Sequence, residues 1–162
     1  MIFDSCDENE TYEAMLNRAV WYLGRRDYGM QELRQKLLRQ RRGKPAPGEE
    51  ACEQVITRLL ELGYLDDERT ARRLAESLSA KGYGARAIAF ELRRRGIEEE
   101  AEPPATDDER LADLLQTKYA ARLGDERGRH AVYQALLRRG YRHADIRSAI
   151  QEYMEEADFD AD

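Results

Sequence analysis

The segment I88-A-F-E-L-R-R-R-G-I97 returns later in the chain as V132-Y-Q-A-L-L-R-R-G-Y141. The two match position for position: Ile88 with Val132, Leu92 with Leu136, Arg94 and Arg95 with Arg138 and Arg139, and Gly96 with Gly140. Apolar residues four apart lie on one face of a helix, and a glycine after a basic end is a helix stop. A related helix, M30-Q-E-L-R-Q-K-L-L-R-Q-R-R42, carries the same L-x-x-x-L core and basic end. Such recurrence predicts tandem helical units that bury a core only by stacking on their neighbours.

Helical periodicity runs through the rest of the chain, with no convincing strand alternation. Predicted stripes are Leu16, Ala19, Val20, Leu23; then Met30, Leu33, Leu37; then Cys52, Val55, Ile56, Leu59. They continue with Ala71, Leu74, Ala75, Leu78; Ala85, Ile88, Ala89, Leu92; Leu111, Leu114, Leu115, Tyr119; Val132, Tyr133, Leu136, Leu137; and Ile146, Ala149, Ile150, Tyr153. The expected organisation is an acidic, disordered N-terminus over 1–13 and a first helical repeat over 14–65. A second repeat spans 66–106, its third helix reduced by an acidic Pro-Pro linker. A third repeat spans 107–154, and an acidic, frayed tail 155–162. The predicted class is all-α: three tandem three-helix repeats in an elongated, solenoid-like array.

The charge balance of −6 conceals alternating blocks. Residues 14–97 hold 18 Lys/Arg against 11 Asp/Glu, and 110–150 hold nine against four. The segments 1–13, 98–109 and 151–162 carry acids and no bases. An acidic total therefore leaves room for an anionic partner, because the local field decides binding. No window approaches a membrane span, and the acidic start is unlike a signal peptide, so a cytoplasmic location is expected. Cys6 and Cys52 lack metal-ligand spacing, and no cofactor or metal is expected.

The stretch L62-G-Y-L-D-D-E-R-T-A71 puts three carboxylates in a row. Adjacent carboxylates serve acid–base chemistry or a helix start. Gly63 ends one stripe, Tyr64 and Leu65 connect, Asp66 stands at an N-cap, and Asp67 and Glu68 fall in a first turn. With no His, Ser or Cys close by in sequence, and no phosphate loop or nucleophile elbow anywhere, capping is the reading and no catalytic residue is assigned.

Candidate partner-binding residues are Arg25, Arg26, Tyr28, Arg34, Lys36, Arg72, Arg73, Lys81, Tyr83, Arg93, Arg94, Arg95, Arg138 and Arg139. Cations near helix C-termini also favour the dipole and face solvent, so two readings stand. These side chains are a solvated surface, or a face for nucleic acid or an acidic protein groove.

The segment A19-V-W-Y-L-G-R-R-D-Y-G-M-Q-E-L-R-Q-K-L37, followed by G63-Y-L-D-D67, K81-G-Y-G84 and E91-L-R-R-R-G-I97, closely resembles the RecX regulatory family. The likeness covers about 14–97 well and 107–154 more weakly. Departures are Tyr28 and Gly29 in place of a small polar cap, Thr70 in place of an aromatic, and the acidic insert at 98–106. The resemblance implies three three-helix repeats and no enzymatic activity. It also implies binding to the RecA recombinase and its DNA filament, which restrains filament growth, ATP hydrolysis, strand exchange and SOS repressor cleavage. A monomer that meets DNA weakly or within the filament is expected. The alternatives are a stand-alone nucleic-acid-binding helical module and a pure protein-interaction scaffold.

Overall fold

The computed structural model describes residues 10–159 and is all-helical over that span. Its helices are α1 (Tyr12–Leu23), α2 (Met30–Leu38), α3 (Glu49–Glu61), α4 (Asp67–Ala80), α5 (Ala85–Arg94), α6 (Asp107–Leu114), α7 (Glu126–Arg138) and α8 (His143–Phe159). A π-helical turn, Leu115–Tyr119, and a 3-10 turn, Ala120–Arg122, prolong α6. No helix follows α5 before Thr106, so the middle repeat lacks its third helix. No described helix is long and apolar enough to cross a membrane.

The chain divides into two compact units. The first holds residues up to Ala71 together with Arg94–Glu99; the second holds Arg72–Arg93 and Glu100 onward. In the first, Met15, Ala19, Leu33, Leu37, Cys52, Val55, Ile56, Leu59 and Leu65 form a core between α1, α2 and α3. Each fully buried Leu, Ile or Val in it contributes about 1.5–3 kcal/mol of transfer free energy. In the second, Leu111, Leu114, Leu115, Tyr119, Val132, Leu136, Tyr141 and Ile146 do the same between α6, α7 and α8.

Three sequence expectations shift. On α1 the buried positions are Met15 and Ala19, with Tyr12, Leu16, Tyr22 and Leu23 partly covered. Val20, expected in the stripe, is 54% exposed. Met15 and Ala19 face the core, and Val20, about 100° further round the helix from Ala19, falls at the edge of the stripe towards solvent. The acidic tail continues α8 as far as Phe159. Glu10, assigned to a disordered arm, is buried: it accepts from Arg18 Nε at 3.1 Å and from Arg41 Nη2 at 2.9 Å. Cys6, the first nine residues and the last three lie outside the described residues.

Helix ends carry the local logic. Past α3, the Gly63 N–H donates to the Leu60 carbonyl at 3.0 Å and the Tyr64 N–H to the Leu59 carbonyl at 2.9 Å. That hydrogen-bond pair needs a left-handed residue, and Gly63 supplies φ +72°. The same pair closes α4 at Gly82 and α7 at Gly140.

Helix starts are less local. Gly29 and Gly84 precede α2 and α5 and have no side chain with which to cap them. The Met30 N–H instead donates to Asp67 Oδ1 at 2.7 Å, and the Ala85 N–H to Asp107 Oδ1 at 3.0 Å. In both cases an aspartate in the first turn of a later helix satisfies an exposed amide of an earlier one. In the last helix pair α7 is capped by its own Asp125, which accepts from the Gly128 N–H at 2.6 Å.

Candidate partner interface

The first unit carries a continuous run of cations and rings where α1 turns into α2. The Arg25 guanidinium lies over the Trp21 indole, 4.1 Å from its centroid. Trp21 meets Tyr22 edge-on with centroids 5.2 Å apart, and Tyr22 meets Tyr28 at 5.7 Å. The Arg26 guanidinium closes the run, 3.7 Å from the Tyr28 centroid.

The two ends of this run differ in character. Tyr28 is buried and Arg26 covers its ring, so this candidate packs inward and offers no free face for stacking. Arg26 is itself held by Glu32, with Nη1 donating to Oε2 at 3.0 Å. That hydrogen bond is the main cause holding its guanidinium above the usual arginine range. At the other end Trp21 is 54% exposed, and Arg25 meets no carboxylate among the described residues.

The remaining candidates sort by how far the protein uses them itself. Arg34 donates to both Glu53 carboxylate oxygens at 2.8 Å, and this pairing raises its pKa. Lys36 is half-buried and has no ion pair with a described residue. Arg72, Arg73, Arg94 and Arg95 each have a partner within the chain. In the second unit, Arg139 Nη1 donates to the Lys81 carbonyl at 2.6 Å and the Gly82 carbonyl at 3.2 Å. Its guanidinium stands 5.4 Å from the centroid of Tyr83. Arg139 and Tyr83 therefore brace the end of α4, and the Lys81 side chain is exposed beside them. Arg93 and Arg138 are exposed with no described partner.

The six residues of the helix-end motifs also find places. Asp66 accepts from the Arg69 N–H at 2.9 Å and starts α4, while Asp67 reaches across to α2. Burial is the main cause raising the Asp67 pKa, and the Met30 N–H works against it. Gly63 and Tyr64 are exposed in the connection. Gly96 packs on Gln31, and Gly140 packs on Ala87. Sequence reasoning passed over Trp21 and the cross-helix caps. An exposed indole four residues before an arginine at a helix end was the available signal for Trp21. For Asp67 and Asp107 the capped amide lies 37 and 22 residues away, beyond the reach of local pattern.

Short, glycine-terminated helices stacked in units, with arginines at their ends, define an all-α helical-repeat protein. A family profile described as "RecX, second three-helix domain" matches residues 66–101. The chain is 37% identical over 158 residues to the regulatory protein RecX of Shigella dysenteriae serotype 1, covering 88% of this chain and 93% of that relative. It is 43% identical over 103 residues to the regulatory protein RecX of Shigella boydii serotype 18, which is 60% of this chain and 62% of that relative. The crystal structure of RecX from Lactobacillus salivarius shares the fold, with a TM-score of 0.65 at 21% identity, over 87% of this chain and 95% of that one. The chain belongs to the RecX family of regulatory proteins.

Proposed function

We propose that this protein binds the RecA recombinase and its filaments on DNA and restrains their extension, thereby lowering ATP hydrolysis, strand exchange and SOS repressor cleavage. It has no catalytic activity of its own, needs no cofactor, and acts as a monomer in the cytoplasm. Family membership across 88% of the chain carries the reading. The exposed cations Arg25, Arg93 and Arg138, which have no ion pair among the described residues, support it, because they remain available to an anionic or acidic surface. The test is ATP hydrolysis by the cognate recombinase on single-stranded DNA with the protein added below stoichiometry. Slowed turnover is expected, and unchanged turnover overturns the proposal.

A further inference from the structure

We infer that Trp21, with Val20 beside it and Arg25 stacked on it, is an anchor for a protein partner: an apolar hollow with a carboxylate at its rim. The inference rests on the filament-binding reading and assigns this anchor to the recombinase rather than to its DNA. The chain has a single tryptophan, and it is spent on the surface. Trp21 and Val20 are each 54% exposed, next to a core in which neighbouring Met15 and Ala19 are fully enclosed. Two large apolar side chains adjacent in sequence and half in water, one of them an indole flanked by a cation, form the kind of polar-rimmed patch that marks an interaction site.

Three observations favour protein over nucleic acid. Arg25 already lies across the indole, which leaves at most one ring face for a base. Neighbouring cations that would track a phosphate backbone are consumed internally: Arg26 by Glu32 and Arg34 by Glu53. Val20 extends the patch with aliphatic surface, which packs into a protein hollow and adds nothing to phosphate binding. Arg25 is the exception among these cations: its guanidinium is oriented by the stack yet meets no carboxylate among the described residues. It is held ready for a bidentate acidic partner from outside. Tryptophan and arginine together are the composition of an interface hot spot.

The lone tryptophan is its own reporter. Adding recombinase filament to the wild-type protein is expected to shift Trp21 emission to shorter wavelength as the indole is desolvated, and single-stranded DNA alone to leave it unchanged. Trp21→Ala should weaken filament binding by roughly tenfold or more, the scale of a hot-spot residue. Its thermal midpoint should fall only slightly, because the half-exposed indole lies outside the buried core and loses only its contacts with Tyr22 and Arg25. Arg25→Lys, which keeps the charge and loses the planar fork, should also bind less tightly. If wild type slows ATP hydrolysis and Trp21→Ala slows it equally, this assignment falls and the filament-binding reading stands. Quenching by DNA alone, with nothing added by the recombinase, assigns the patch to nucleic acid and overturns it as well. If wild type leaves the recombinase untouched, the broader reading fails and takes the anchor with it.

Discussion

Asp67 shows how much one carboxylate can be asked to do. It stands in the first turn of α4, where a negative charge favours its own helix dipole, yet its side chain accepts the first amide of α2. Burial makes the charge costly and holds its pKa above the ordinary aspartate range. A raised pKa means that the folded state binds the proton more tightly than the unfolded chain does. The stability linked to this group is therefore fully present at low pH and is lost as pH rises through the folded pKa. Two substitutions separate the cap from the charge. Asp67→Ala removes the acceptor and should cost about 1 kcal/mol, the scale of a lost N-cap. Asp67→Asn keeps an acceptor oxygen without the charge, so it should match or exceed wild type at neutral pH. That advantage should fade as pH falls towards the carboxylate range. Thermal unfolding of the three proteins across that interval is the measurement. An Asn variant as unstable as the Ala variant would mean that the charge itself makes the cap.

Among the helices, glycine positions divide into those that need only a backbone conformation and those that need space as well. Gly63 has φ +72° and nothing within 4 Å of where a Cβ would stand. Gly140 has φ +87°, and its Cβ would lie 2.5 Å from the Ala87 amide nitrogen and 2.6 Å from the Ala87 Cβ. Gly63→Ala should cost roughly 1–2 kcal/mol for the left-handed conformation alone. Gly140→Ala adds a backbone collision that cannot relax by rotating a side chain, and should cost on the order of 1–3 kcal/mol more. Chemical denaturation of both variants checks the ordering, and equal losses would contradict it. The stops themselves were legible in the sequence, because a glycine where an apolar helical stripe ends is a local signal. The helices and most of their buried faces were legible for the same reason: Cys52, Val55, Ile56 and Leu59 are all buried. The neighbour that makes Gly140 indispensable was not, since Ala87 meets it only through packing between repeats. Val20 was misplaced because a periodic stripe specifies a helical face only to within about one residue, and the buried face centres on Met15 and Ala19. The candidate surface was half legible. Sequence placed the arginines near helix ends, but it could not show that Glu32 and Glu53 already hold Arg26 and Arg34.

At the scale of the molecule, that internal pairing changes what the charge count means. The chain has 27 Lys/Arg, enough on paper for an extensive phosphate contact. Arg18 and Arg41 are engaged by Glu10, Arg26 by Glu32, Arg34 by Glu53, Arg58 by Glu61 and Arg110 by Asp107. Arg139 is spent on the backbone at the end of α4. Acidic blocks at 98–109 and 151–162 further oppose a polyanion through the long-range field. Arginines already neutralised by a carboxylate release no counterion, and the acidic blocks oppose a close approach, so affinity for bare single-stranded DNA should depend weakly on salt. Each neutralised phosphate contributes about 0.7 to the slope of log K against log salt, and contact with two or three phosphates keeps the slope below roughly 2. Arg93→Glu and Arg138→Glu should flatten it further, because both are exposed with no ion pair among the described residues, and should leave unfolding midpoints unchanged. Filament binding, measured over the same salt range, should persist where binding to bare DNA has vanished, because its apolar part is not screened. A steep slope on bare DNA, shared by the filament, would instead mean that phosphate contacts dominate. The protein would then act as a nucleic-acid-binding module whose effect on the recombinase runs through the DNA.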